Sequence, residues 1–543
     1  MNYLSLKTKL YFLVLIISIF NIKSNAQSDK TFDIQKYELD LDIYNCFLNP
    51  FPRNFKATET ITIKAIEQIG QITINASRSS LEIRSVSDAG ISFDHAGDLL
   101  TVSLDKIYEP GEEFNISIDY NHKNVIDTAF YVRDGMVYTD CEPVKARRWF
   151  PCKDVPDDKA LVSVTARVPS TVLLCSNGRL ADSSIYGDTI SYKWESDYPV
   201  ATYLVALIGK VKYNLDVINW KRPNGEDMQL RFYWQNGETR FNINNVMSKT
   251  GKMLDLFSAK YGDYPFEKLA FATTNRDYLW GGMENQTIIT LCPDCWTEDL
   301  ACHELVHQWF GDLITPMTWS DIWLNEGFAT FNEAVWIESQ KGYNDYRKTI
   351  LNEAVKYFSR NPGWAIYEKS WATSFPDDDT LFNSEITYSK SACVIYMLRN
   401  ILGDTVFFNC MKAYATNPDF INGNISTEQF MDFMNEQSGT NLDWFFEEWL
   451  FKPNHPVYQN NSRIEELEKG NWKIDYTINQ IQKNTGFYKM PVELKITFQN
   501  GKDTTINVSN DYNLQTYSFG FKEEPKKITF DPENKIILKE IKN

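Results

Sequence analysis

The hydrophobic period changes twice along this chain, and no single sheet or helical bundle satisfies both periods. From about residue 31 to residue 225 apolar side chains recur at every second position. Tyr37, Leu39, Leu41 and Ile43 alternate with polar neighbours, as do Val162, Val164, Ala166 and Val168. Such alternation places one face of a strand against a core and the other in water. The pairs Pro110-Gly111 and Asn224-Gly225 mark turns. Past residue 238 the spacing becomes helical, predicting helices over 242–261, 299–311, 323–341 and 389–402, with short β runs at 269–274 and 286–291. After Phe451-Lys452-Pro453-Asn454 the two-residue period returns. Trp472, Ile474, Tyr476 and Ile478 form one strand, Val492, Leu494, Ile496 and Phe498 another, and Asn500-Gly501 marks a hairpin. The expected fold class is α+β with several domains: a β-rich domain over 27–230, a mainly helical domain over 231–452, and a small β-sandwich-like domain over 453–543.

Composition narrows the function classes. The chain has 543 residues, of which 43% are hydrophobic, so it can bury a large core. A formal charge of −17 argues against nucleic acid or an anionic membrane surface as the main partner. Residues 1–26 carry Lys7 and Lys9 ahead of an apolar run, then Ser24-Asn25-Ala26, the pattern of a cleaved secretory signal. The run is shorter than the roughly 20 residues a membrane span requires, and no later run reaches that length. An exported protein, periplasmic or secreted and with no span after cleavage, is expected. Nine cysteines leave at least one thiol free. Cys292 and Cys295 have Cys-x-x-Cys spacing without a second pair at zinc-ribbon distance, which reads as a local disulfide or as two unrelated thiols. No feature specifies an oligomeric state.

His303-Glu304-Leu305-Val306-His307 carries the chemistry. Two histidines four apart on a helix are offset by about 40° around its axis, so both imidazoles can meet one metal ion, with Glu304 beside them. A catalytic zinc site takes three protein ligands and leaves one position open. Glu326 is the downstream candidate for the third. It stands among Trp323, Leu324, Phe328 and Ala329, where a metal partner accounts for a carboxylate in apolar surroundings. Without that partner, Glu326 reads as a helix-surface acid and the histidines as ordinary helix residues.

Together with Asn325-Glu326-Gly327 downstream and Gly281-Gly282-Met283-Glu284-Asn285 upstream, this motif resembles the aminopeptidase N and leukotriene hydrolase family of gluzincin zinc metallopeptidases. By motif the resemblance runs from about residue 130 to 450. It implies a thermolysin-like helical catalytic domain and one Zn²⁺ per chain on His303, His307 and Glu326, with Glu304 as the general base. It also implies that the segment Gly281, Gly282, Met283, Glu284 and Asn285 lies along the substrate, with Glu284 holding the free α-ammonium group. Glu142, in the stretch that ends Trp149-Phe150-Pro151-Cys152, matches a second amine-binding position. Asp140 stands where most relatives carry Gln. Tyr388, in Tyr388-Ser389-Lys390-Ser391, matches the tyrosine that donates to the developing oxyanion, with Ser391 where relatives carry Gly. Glu333 is either a partner of a zinc histidine or a solvent-facing acid.

The reading that results is a zinc-dependent aminopeptidase acting on peptides with a free N-terminus. A charge-assisted hydrogen bond to that terminus contributes about 1.5–3 kcal/mol. The alternatives are a thermolysin-type endopeptidase, which has no use for two acids at the substrate amine, and a non-catalytic peptide-binding protein, which has no use for Glu304 and Tyr388. Many relatives end in a helical superdomain over the active site. Here β character follows the catalytic domain, so no such superdomain is expected, and a more open cleft would admit longer peptides.

Overall fold

Strand Phe32–Asp42 lies at the centre of the first layer. It pairs in parallel with Lys159–Pro169, setting Tyr37 opposite Val162, Leu39 opposite Val164 and Leu41 opposite Ala166. The two alternating segments therefore lie side by side, and their apolar residues share one buried face. These strands belong to an eight-stranded sheet, accompanied by a three-stranded and a four-stranded sheet. The computed structural model describes residues 29–483 and 485–542, so the expected signal at 1–26 lies outside the described residues.

The central layer begins earlier than the change of period suggests. A five-stranded sheet runs in the order Asn214–Lys221, Asp227–Trp234, Leu269–Thr273, Ile288–Leu291, Gly282–Met283. The hairpin turned by Asn224-Gly225 thus pairs with the strands beside the metal motif, and Gly282–Met283 becomes the edge strand. Helices α1 (Arg240–Tyr261), α2 (Glu298–Val306), α3 (Trp323–Lys341) and α4 (Tyr343–Arg360) pack in succession, α1 on α2, α2 on α3 and α3 on α4, and share one core with this sheet.

Two helices differ from the spacing prediction. Regular α-helix in α2 stops at Val306, because Gly311 adopts φ +130 and Asp312 N–H bonds back to His307 O, so residues 307–309 form a turn and Phe310 bridges to Ile314. The helix expected from 389 starts at Ser391 and runs to Leu402, preceded by a wide π turn over Ser384–Lys390. Gly327 permits close packing of α3 on that helix, since a Cβ there would lie 2.5 Å from Ser391 Cβ. Helices Asp404–Ala415, Thr427–Ser438 and Asp443–Trp449 complete the layer.

Beyond Trp449 the described residues contain strands and no further helix. Asn461–Glu468, Asn471–Ile478 and Gln515–Phe521 form one three-stranded sheet, and Met490–Phe498, Asp503–Asn510 and Pro525–Phe530 another. Gly501 at φ +83 makes the hairpin turn. The rings of Phe498 and Phe521 meet at 5.2 Å between the sheets. Apolar residues of this module continue into the helical layer, whereas the N-terminal layer has its own core, which Met283, Trp319 and Ile322 join from the catalytic side. Among the described residues no helix is long and apolar enough to cross a membrane.

Candidate active site

Helix α2 opens on Thr297, with Glu298 and Asp299 in its first turn, where carboxylates favour the positive end of the helix dipole. One turn later it presents His303 and Glu304, and His307 caps its end. Helix α3 brings Glu326 across: its Oε2 lies 3.2 Å from His303 Nε2 and 3.5 Å from His307 Nε2. The other ring nitrogens are also engaged. His303 Nδ1 bonds Glu333 Oε1 at 2.8 Å, and His307 Nδ1 bonds the Phe310 carbonyl at 3.1 Å. Glu333 therefore faces His303 rather than solvent. Ligands about 2.0–2.1 Å from a tetrahedral ion lie about 3.3 Å apart, so this donor set fits zinc. The outward bonds fix both rings with Nε2 towards the site.

Charge is concentrated around these ligands. Oxygens of Glu142, Glu284 and Glu326 lie within 4.8 Å of one another, and one ligand atom each from Glu284, Glu304 and His307 forms a second such group. Burial pushes the Glu142 carboxyl well above the usual carboxylate range, and the charges of Glu284 and Glu326 push it further. Glu142 Oε1 is buried without a hydrogen-bond partner in the protein. Glu304 rises to about 8, chiefly through burial, with His303 and His307 opposing and Glu284 and Glu326 adding to the shift. Asn325 Nδ2 donates to Glu284 Oε1 at 2.8 Å, and Gln308 Nε2 donates to the Glu284 carbonyl at 2.9 Å.

The edge strand runs directly above Glu304. Gly282 pairs with Leu291 and Met283 with Thr290, which leaves the outer edge of the strand facing a cavity of about 330 Å³. Gly281, Gly282, Met283 and Glu284 line that cavity with Glu142, while Asn285 is buried behind it and donates from Nδ2 to Thr290 Oγ1 at 2.9 Å. Lys145 reaches Asp140 at 3.8 Å and Asp378 at 3.5 Å along the same wall. Burial pushes the Asp140 carboxyl up to about 6, although Lys145 pulls it down.

Tyr388 enters from the π turn, its ring stacked on His303 at 6.1 Å between centroids. Burial and then the charges of Glu326, Glu142 and Glu284 raise its hydroxyl well above the usual tyrosine value. Residues on either side anchor the turn. Thr387 Oγ1 donates to Leu381 O at 2.8 Å, Ser389 Oγ to Glu353 Oε2 at 2.8 Å, and Lys390 Nζ to Lys452 O at 3.1 Å.

Residues 245–449 match the peptidase family M1 domain, and residues 35–204 match the peptidase M1 N-terminal domain. The chain belongs to the M1 peptidase family. Among M1 relatives, aminopeptidase 2 of Candida albicans is 26% identical over 79% of this chain and 48% of its own length, and aminopeptidase M1 of Arabidopsis thaliana is 28% identical over 62% and 39%. The chain spans about half the length, or less, of these curated relatives. The M1 zinc metallopeptidase of Deinococcus radiodurans matches in fold with a TM-score of 0.67 at 21% identity, over 78% of this chain and 94% of that one. Legionella pneumophila aminopeptidase A matches with a TM-score of 0.77 at 16% identity, over 94% of this chain and 60% of that one.

Of the residues the sequence singles out, the structure brings Glu142, Glu284, His303, Glu304, His307, Glu326, Glu333 and Tyr388 together around one cavity. Sequence reasoning assigned nothing to Asn325, Gln308, Glu353, Lys145 or Asp378. Asn325 stands inside the Asn-Glu-Gly motif, and that adjacency is its signal. Gln308 directly follows His307 and Lys145 lies three residues after Glu142 in the same stretch, whereas Glu353 and Asp378 reach the site from positions without motif spacing.

Proposed function

We propose that the protein is a zinc-dependent aminopeptidase that removes the N-terminal residue from peptides, using a thermolysin-like helical domain. The observation that carries this reading is the clustering of Glu142 and Glu284 beside Glu326, within 4.8 Å. Two carboxylates so close to a metal ligand are costly unless a cation separates them, and a peptide α-ammonium group is such a cation. Binding the terminus there sets the first peptide bond over the metal position.

His303, His307 and Glu326 would hold zinc, which supplies a Lewis acid for the peptide carbonyl and makes water acidic near neutrality. Glu304 takes the proton from the attacking water and delivers it to the leaving amine nitrogen. Tyr388, kept protonated by its surroundings, donates to the carbonyl oxygen as negative charge gathers there. The outer edge of Gly282–Met283 offers backbone groups to an extended peptide, as strand addition requires. Export is part of the proposal: the basic, apolar and small segments of residues 1–26 support it, and so does a Cys292–Cys295 disulfide, which oxidising compartments permit.

The test uses matched peptides with free and acetylated N-termini, before and after chelation. Cleavage of the free peptide alone, lost on chelation and restored by zinc, is the expected result. Equal internal cleavage of acetylated peptides would replace this reading with an endopeptidase.

A further inference from the structure

Among the described cysteines, Cys292 and Cys295 alone are joined in a disulfide, and the other seven are free and buried. Both bridged residues are only partly buried, so a reductant can reach this pair before the others. The bridge occupies the short connection between two elements of the active site. On one side Cys292 N–H donates to Gly281 O at 2.9 Å, extending the ladder in which Gly282 pairs with Leu291 and Met283 with Thr290. On the other, Thr297 N–H donates to Cys295 O at 2.8 Å, and Thr297 is the residue on which α2 opens.

Between the two cysteines the chain makes a tight turn, with Asp294 at φ +60 in the left-handed region. Asp294 is tied to the start of α1: its carboxylate accepts from Thr239 N at 2.7 Å and Thr239 Oγ1 at 3.0 Å, and its own N–H donates to Glu238 Oε1 at 3.0 Å. The Asp294 side of the turn thus has three anchors besides the bridge. The Cys292 side has the disulfide, the bond from its N–H to Gly281 O, and a 3.2 Å bond from Cys295 N–H to its carbonyl that stays within the turn. Opening the bridge therefore frees chiefly the side that holds the edge strand, while α2 keeps its own hydrogen bonds and the packing of its buried face.

We propose that the Cys292–Cys295 disulfide is a reducible clamp that keeps the substrate-binding edge Gly281–Met283 in register, so that reduction weakens peptide binding and spares the metal centre. The inference rests on the aminopeptidase reading of that edge. In reduction the S–S bond breaks and two thiols form, with two electrons and two protons supplied by a dithiol that is itself oxidised to a disulfide. The clamp therefore binds peptides fully under oxidising conditions and poorly where dithiol reductants prevail.

The experiment treats the full chain with a water-soluble phosphine, which reduces the bridge as water supplies the oxygen of the phosphine oxide and which avoids the zinc affinity of dithiols. KM and kcat for a free-amine tripeptide, zinc content, and amide hydrogen exchange over residues 281–292 are measured before and after. Reduction is expected to raise KM about tenfold, the equivalent of one hydrogen bond, with kcat within about twofold and zinc retained. Reoxidation restores KM. A Cys292→Ser/Cys295→Ser double variant has the KM of the reduced protein and ignores the phosphine. An unchanged KM in the reduced protein and the double variant would overturn the clamp, as would zinc loss on reduction, since the effect would then pass through α2. If neither redox state cleaves peptides, the aminopeptidase reading fails and hydrogen exchange decides separately: faster exchange at 281–283 after reduction supports the clamp, and unchanged exchange refutes it.

Discussion

Gly282 and Glu304 share a space that holds only one side chain: a Cβ on Gly282 would stand 2.3 Å from Glu304 Oε1 and 2.6 Å from its Cδ. The position requires glycine because the strand passes so close to the carboxylate. Gly282→Ala is expected to push Glu304 off the attacking water, lowering kcat about a hundredfold, the scale of a misplaced general base. Zinc content and thermal stability should stay near those of the parent. Parent-like kcat in a well-folded variant would remove Glu304 from that role.

Glu304 and Glu326 are both buried carboxylates beside the histidines, yet their substitutions should separate cleanly. Glu304→Gln keeps the shape and removes the proton acceptor, so kcat falls about 10²- to 10⁴-fold while zinc remains bound. Glu326→Gln removes a charged ligand, so zinc content should fall along with activity. Metal analysis of the two purified variants is the measurement.

Glu333 meets His303 at the ring nitrogen opposite the one that faces Glu326. Its bond to His303 Nδ1 fixes the ring and strengthens the ligand nitrogen. Glu333→Ala is expected to weaken zinc binding about 10- to 100-fold, read by competition with a chelator of known affinity, with fold and substrate KM conserved at saturating zinc.

Lys390 is fully buried, and its Nζ has the Lys452 carbonyl as partner. Burial pulls its pKa from 10.5 down to about 7. The unfolded chain therefore binds an extra proton between about pH 7 and 10.5, and stability rises with pH across that window. Below pH 7 the folded protein carries the full cost of a buried ammonium. Lys390→Met removes this dependence, so the stability of the parent relative to the variant should climb from pH 7 to pH 10. Parallel melting curves over that range would show that Lys390 does not titrate in the folded state.

Much of the architecture could be read before the structure. Alternation at Tyr37, Leu39 and Leu41 and again at Val162, Val164 and Ala166 identified two strands, because burial of one face imposes a two-residue period locally. It did not reveal that these strands are parallel neighbours, a pairing between segments far apart in the chain. Helical spacing located α3 at its observed ends, whereas α2 was read too long because the positive φ of Gly311 has no hydrophobic signature.

The site divides along the same line. The residues 303, 304 and 307 carry their geometry in their spacing, since one helical turn brings both imidazoles to one side whatever surrounds them. The sequence by itself therefore determined a two-histidine metal motif, the resemblance to zinc metallopeptidases that the motif carries, and the strand-rich or helical character of each layer. Only the tertiary structure decided that Asn325 holds Glu284, that Glu333 faces His303, and that Ser389 and Lys390 anchor the turn of Tyr388. Those contacts link residues with no fixed spacing, and their partners are chosen by how separate elements pack, which no local period records.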